Sequence, residues 1–368
     1  MLQIQNLEKK LKDFTLKIDS LTINNNDYFV ILGLSGSGKT TLLELIAGFN
    51  KADKGKILLN GEDITNAPIN KRNIVLCNGK YLFPHLTVKE NIKLGYSCKK
   101  KTKQELIDEN KIINELCNSL KITHILDRYP KNLSMGERQR VALAMALITN
   151  PKIILLDEPL CNLDRLIHEE LLEELRNLYE KLNKNKNNDY LKTIFIHVTH
   201  DFNEAIALST KTAIMKNGII EQIGTIEEIL KYPKTEFVAK FTQLKNILKG
   251  ELIKTNNNYY FKNNNITINL NLNKSPTDNN NNNNNIKIGI RSEDIMIINN
   301  CNCESIHKNI FSGKIINMIP SGLSTYKLNI KVNELILICE VVKCQIDKMN
   351  LKVGKNIKFC INSVILLE

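Results

Sequence analysis

Long hydrophobic runs are missing from this chain. No apolar stretch in its 368 residues approaches the roughly 20 that a helix needs to cross a bilayer. The opening Met1-Leu2-Gln3-Ile4-Gln5-Asn6 lacks a charged segment and an apolar one, so no signal peptide is expected. Aromatic residues are scarce at 6%, and no block is basic enough to form a nucleic-acid arm. The net charge of +12 therefore reads first as a lysine-rich solvated surface, with an anionic membrane face or anionic ligands as the sharper alternatives. Nine cysteines, odd in number and scattered, argue against a disulfide framework and for reduced thiols. Cys301-Asn302-Cys303 offers half a metal site with no second half nearby. The combined expectation is a cytoplasmic globular protein of two or three domains.

What is present is organised around Gly33-Leu34-Ser35-Gly36-Ser37-Gly38-Lys39-Thr40. An apolar run, Tyr28 to Leu32, leads in, and a helical pattern from Thr41 to Ala47 leads out. Strand, tight loop and helix is the context in which G-x-x-x-x-G-K-[ST] cradles phosphates. Glycines let backbone N–H groups close around an anion, and the helix N-terminus behind adds its positive end. Lys39 is placed to reach the outer phosphates, and the Thr40 hydroxyl to hold Mg²⁺.

Two further stretches have the chemistry to complete such a site. Ile153-Ile154-Leu155-Leu156-Asp157-Glu158-Pro159 reads as a buried strand ending in two carboxylates. Ligands in open α/β sheets bind at the C-terminal ends of strands. Asp157 suits Mg²⁺ there, and Glu158 suits polarising an attacking water. The Ile-rich run Thr193 to Val198 ends at Thr199-His200-Asp201, which lets His200 point at the same phosphate. In Leu133-Ser134-Met135-Gly136-Glu137, Ser134 and Glu137 have capping-box spacing before a long helix. That helix start is a second anion-binding end.

Around these, 2–7 and 14–23 alternate as strands, and 88–95 and 103–120 read as helices. Phe14 follows a charged turn, where it serves either as a core residue or as a stacking platform for a flat ring. The loop Asn78-Gly79-Lys80-Tyr81-Leu82-Phe83-Pro84-His85 has an apolar tip. Beyond about 237 asparagine dominates, with a low-complexity run at Asn279–Asn285 expected to be a flexible loop. Segments at 286–290, 310–319, 325–332, 335–342 and 356–367 alternate as in a small antiparallel barrel.

Together these residues resemble the ATP-binding subunit of ABC transporters. Phosphate loop, signature (Leu133–Glu137), carboxylate pair, D-loop (Asn162-Leu163-Asp164) and switch histidine (His200) come in that family's order over about the first 235 residues. Gly289-Ile290-Arg291-Ser292-Glu293-Asp294-Ile295 is similar to the opening of the accessory barrel of importer ATPases. Residues 239–241, 245–250 and 42–49, with Asp127-Arg128, resemble the archaeal molybdate/tungstate importer subgroup.

The resemblance implies a P-loop NTPase fold, a RecA-like core with a helical subdomain at about 90–150, over residues 1–235. It implies a linker at 236–250 and an all-β OB/TOBE-like barrel at 251–368. ATP and Mg²⁺ are the expected cofactors, bound by residues 33–40 with Leu34, Ser35, Gly36, Ser37 and Gly38 among them, and by Thr41. Two copies are expected to sandwich two ATP molecules, with Ser134, Gly136 and Glu137 of one facing the phosphate loop of the other. Glu158 is the expected base, His200 the γ-phosphate contact, Phe14 the adenine platform, Asn78 a ligand of Mg²⁺ or water, and Asp164 part of the dimer site. Phe83-Pro84-His85 is expected to meet a membrane permease served by an external binding protein, on the cytoplasmic face of the membrane.

Three positions depart from the family pattern: Asn78 in place of glutamine, Met135 in place of glycine, and Cys360 where the subgroup's barrel often has lysine. Another cargo (sulfate, polyamine or sugar) and an intracellular oxyanion sensor are the alternatives. A DNA-acting ATPase is disfavoured, because only about 90 residues separate phosphate loop and signature, without sustained heptads.

Overall fold

A computed structural model of the chain describes residues 1–12, 14–78, 82–96, 113–184, 193–255, 258–270, 285–298 and 309–367. It divides into two compact units, Met1–Glu227 and Glu228–Glu368. In chain order the first unit runs β1 (Leu2–Lys10), β2 (Thr15–Ile23), β3 (Tyr28–Gly33), α1 (Lys39–Ala47), β4 (Lys54–Leu59), β5 (Glu62–Asp63), β6 (Ile74–Cys77) and α2 (Val88–Tyr96). It continues with α3 (113–119), α4 (Met135–Ile148), β7 (Ile153–Asp157), α5 (Arg165–Lys184), β8 (Ile194–Thr199), α6 (Phe202–Leu208), β9 (Lys211–Lys216) and β10 (Ile219–Gly224). Of the helix expected at 103–120, residues 103–112 lie outside the described residues, as do Cys301, Cys303 and most of the Asn279–Asn285 run.

Near-continuous apolar strands need cover on both faces, and that is how they are used. β3, β7 and β8 are buried almost throughout. They sit in the middle of a six-stranded sheet of order β10-β9-β3-β8-β7-β6. β3 pairs in parallel with β8 and β9, and β7 pairs in parallel with β8 and β6. A four-stranded antiparallel sheet, β2-β1-β4-β5, packs its alternate apolar residues into the same core, where Leu16 and Ile18 join Leu42, Ile46 and Val198. Arg72 closes the far end of α1: its buried guanidinium donates to the carbonyls of Leu45 and Ile46 at 2.8 and 2.9 Å. Burial holds that guanidinium below its ordinary pKa.

The second unit is all strand apart from short helices. One five-stranded sheet has the order β13-β12-β11-β14-β20, with β11 (Asn246–Thr255), β12 (Asn258–Lys262), β13 (Thr267–Asn269), β14 (Asn285–Ile290) and β20 (Ile365–Leu367). The other has the order β15-β19-β16-β17-β18, with β15 (Ile295–Ile298), β16 (Ile310–Pro320), β17 (Thr325–Val332), β18 (Leu335–Val342) and β19 (Asn356–Ile361). They share one apolar core around Phe261, Ile288, Ile330, Leu337 and Phe359. Asn246 ties the two together: its buried side chain donates to Ile290 O and Ile338 O and accepts from Ile338 N.

The stretch expected as a linker, 236–250, is structured instead. Glu236–Phe241 is a helix capped by the Thr235 hydroxyl, and β11 begins at Asn246. Ala239 and Leu244 are buried against Ile365 and Leu367, so this segment belongs to the core of the second unit.

Candidate functional site

The parallel register brings the sequence-predicted residues to one edge. Leu32 pairs with Thr199, Asp157 with Val198, and Cys77 with Leu156. The loops that follow carry Gly33–Thr40, His200, Glu158 and Asn78, so all four groups leave the same C-terminal end of adjacent strands.

The phosphate loop is held by tight backbone packing. A Cβ on Gly33 would lie 2.4 Å from Met215 O and 2.7 Å from Ser37 Oγ, so only glycine allows the turn against β9. Gly38 has φ +99°, a left-handed conformation that costs any other residue. It is the N-cap of α1 and supplies no side-chain cap, which leaves the first amides of that helix open to an anion. Ser37 is buried, and its hydroxyl has no hydrogen-bond partner among the described residues. Such a donor inside an amide-lined loop fits a phosphate oxygen. Leu34, Ser35, Gly36 and Thr40 are exposed, and Thr41 is half-buried.

Lys39 curls over the loop and donates to the carbonyls of Gly33 and Leu34 at 2.9 and 3.1 Å. Burial holds its ammonium below the ordinary lysine pKa, and Glu158 and Asp157 pull the other way. The Thr40 hydroxyl donates to Asp157 Oδ1 at 3.1 Å. A hydroxyl and a carboxylate converging there make a hard, all-oxygen donor pair of the kind Mg²⁺ takes.

Glu158 stands in a left-handed turn with φ +46° and donates its N–H to Val198 O at 3.0 Å. A non-glycine residue held in that region stores strain, and such residues cluster at functional sites. Here the turn lifts the carboxylate out of β7 to within 3.5 Å of His200 Nδ1. His200 is exposed and Glu158 half-exposed, so both remain accessible to a ligand.

Phe14 does two things at once. It packs on the core of the first unit, and its ring edge lies 3.0 Å from where a Cβ on Gly38 would stand. A flat apolar ring therefore borders the phosphate loop.

The signature segment forms its own site on α4. Ser134 Oγ accepts from Glu137 N, and Glu137 Oε2 accepts from Ser134 N, which completes the capping box. Burial pushes the Glu137 carboxyl up, but the Ser134 bonds with Arg128 and His124 outweigh it and leave it below its ordinary range. All of Ser134's hydrogen bonds among the described residues stay within this turn. Met135, standing where the family has glycine, is the first residue of α4 and is not among the residues of positive φ, so it carries no backbone strain. Gly136 is buried, and a Cβ there would lie 2.7 Å from Ile167 Cγ2 on α5. Asp164 is exposed and stands just before α5.

Sequence reasoning missed one organiser of the apolar-tipped loop. Asn91, fully buried on α2, accepts from Phe83 N at 2.8 Å and reaches the carbonyls of Phe83, Leu86 and Thr87. Phe83, Pro84 and His85 are exposed above it, with the Phe83 and His85 rings edge to face. An asparagine inside a helical pattern gives no local sign of this role.

A parallel sheet with an amide-lined phosphate loop after one strand and a carboxylate pair after the next but one defines a phosphate-loop nucleoside triphosphatase. The family model described as ABC transporter matches residues 16–161. The molybdate/tungstate import ATP-binding protein WtpC of Pyrococcus horikoshii is 33% identical over 358 residues, 97% of this chain and 96% of that protein. The spermidine/putrescine import ATP-binding protein PotA of Thermotoga maritima is 42% identical over 259 residues, 70% of this chain and 67% of that protein. The structure of cbiO1 from Clostridium perfringens, part of the ABC transporter complex cbiONQ, superposes with a TM-score of 0.54 at 26% identity, covering 62% of this chain and 89% of that one. The chain belongs to the ABC transporter family of ATP-binding proteins, as an ATP-hydrolysing, energy-coupling subunit of an importer. Among the described residues no helix is long and apolar enough to cross a membrane.

Proposed function

We propose that this subunit powers import of molybdate or tungstate through a separate membrane permease. The observation that carries this reading is coverage. The likeness to the archaeal molybdate/tungstate import protein extends over 97% of the chain, and therefore into both units. The likeness to the polyamine import protein is higher in identity but covers 70%. The ATPase unit does not touch cargo, so likeness that includes the second unit is the better guide.

In this reading the loop amides and Lys39 hold the β- and γ-phosphates of ATP, with the Ser37 hydroxyl as a further donor. Thr40 and Asp157 hold Mg²⁺, and Asn78, just beyond the Cys77–Leu156 pair and so beside Asp157, holds the metal or a water. The metal supplies charge neutralisation on the phosphates. Glu158 takes the proton of the attacking water, and His200 steadies that carboxylate and meets the γ-phosphate. Phe14 stacks on adenine. Two chains face each other, and the amides behind Ser134 and Gly136 of one close on the phosphate held by Lys39 of the other, with Asp164 at the seam. The Phe83-Pro84-His85 loop docks on the permease at the cytoplasmic face, and residues 228–368 form the accessory regulatory domain.

The test is uptake into vesicles that hold the cognate permease and this subunit, with ATP inside and the external binding protein supplied. Tungstate and molybdate uptake, with sulfate and spermidine left outside, is the expected result. Spermidine uptake alone would replace the cargo with a polyamine.

A further inference from the structure

A buried line of side chains runs across four elements behind the nucleotide loops. The Tyr28 hydroxyl on β3 lies 3.0 Å from His197 Nδ1 on β8. His197 Nε2 lies 2.9 Å from Glu204 Oε2 on α6. The other carboxylate oxygen, Oε1, lies 3.0 Å from His168 Nε2 on α5. His197 is fully buried, the Glu204 side chain is 5% exposed and the His168 side chain 21%.

Burial pushes the Glu204 carboxyl up, but bonds from His197, His168 and Thr199 outweigh it and hold it below its ordinary range. An ionised carboxylate only accepts, so both Nε2 atoms donate to it. Burial and the Glu204 charge keep the Tyr28 hydroxyl protonated, and it donates to the remaining His197 nitrogen. The side-chain polar atoms of Tyr28, His197 and Glu204 thus each have a partner.

The last link of the line, Glu204 to His168, matters for hydrolysis. Glu204 lies in the first turn of α6, one turn past His200, and Asp201 caps that helix by accepting from Asn203 N. His168 lies in the first turn of α5, and its amide donates to Asp164 O at 2.8 Å. The hydrogen bond between Glu204 and His168 therefore joins the segment that bears His200 to the segment Asn162–Asp164. Neither side chain is adjacent to the phosphate loop in sequence, and among the described residues no hydrogen bond of either reaches Lys39, Thr40 or Glu158.

We infer that Glu204 and His168 are positioning residues for ATP hydrolysis. Their bond holds the switch-histidine segment in register with the D-loop segment, so that contact with the γ-phosphate at one is carried to the other. This rests on the roles proposed above for His200 and Asp164.

The test uses the full chain and steady-state ATPase kinetics. His168→Ala, at a half-exposed position, is expected to fold and to lower kcat about tenfold with KM for ATP within about twofold, since a misplacement under 1 Å suffices. His168→Arg is expected to restore kcat to within about threefold, because guanidinium N–H groups can donate to the same carboxylate. An unchanged kcat in His168→Ala, or equal losses in the alanine and arginine variants, would overturn the inference. His200→Ala separates the two levels. If it leaves kcat unchanged, the reading of His200 falls and the inference with it. If it abolishes turnover while His168→Ala does nothing, only the inference falls.

Discussion

Lys39 shows how much of the chemistry rests on one side chain. Its ammonium is desolvated and bound to two loop carbonyls, so it meets an incoming phosphate preorganised and with little water to shed. Charge-assisted hydrogen bonds of this kind contribute about 1.5–3 kcal/mol each. Lys39→Ala should therefore weaken ATP binding by about 10–100-fold, measured by titration with a fluorescent nucleotide. Glu158 differs in kind. Its strained turn aims the carboxylate without tying it to the phosphate loop, so Glu158→Gln should keep ATP affinity while lowering turnover by about 10²–10⁴-fold. Asn78 is one methylene shorter than the family's glutamine. If it serves at the metal or the water, Asn78→Ala should depress turnover, and Asn78→Gln should raise it by bringing the amide closer. An alanine variant of normal activity would remove Asn78 from the site.

At the scale of elements, glycine and asparagine set the approach of helices and loops. Gly136 lets α4 come within van der Waals reach of Ile167 on α5. Gly136→Ala must push that side chain aside, at a cost of about 1–3 kcal/mol, which urea unfolding would register as a lower midpoint with an unchanged slope. Asn91→Ala would orphan the Phe83 amide and loosen the loop above it, so hydrogen exchange at Phe83 should quicken more than tenfold while β3 and β8 keep their protection. In the second unit, Glu236 bridges Lys240 and Lys287, each at 2.7 Å. Its bonds to Lys240 and then Lys287 lower its pKa to about 2. A depressed carboxylate stabilises the fold above its unfolded pKa and loses that contribution as pH falls toward 2. Carboxyl NMR should find the midpoint near 2, rising toward the ordinary glutamate value of 4.5 when both lysines are replaced by alanine.

Over the whole molecule, what was legible in the sequence was what is local. Gly33–Thr40 declares itself because loop, strand and helix adjoin, and Ser134–Glu137 because a capping box spans four residues. The strands at 325–332 and 335–342 match β17 and β18 residue for residue, since one face is buried and alternation is strong. The linker that the family resemblance implies at 236–250 is folded because Ala239, Leu244 and Leu248 are buried among residues distant in sequence, such as Ile365 and Leu367. The Tyr28–His197–Glu204–His168 line was not visible at all, because its members lie 7, 36 and 169 residues apart. Met135 departs from the family pattern, and its helical backbone carries no strain.

The claim on which the rest depends is that two chains close on ATP, each supplying Ser134 to the phosphate gripped by the other's Lys39. The direct measurement is the molar mass of Glu158→Gln protein in solution, with and without ATP, by sedimentation or light scattering. A monomer that becomes a stable dimer on adding ATP, and fails to do so when Ser134→Arg is also present, is the predicted result. A monomer at saturating ATP, or a dimer indifferent to Ser134→Arg, would contradict it.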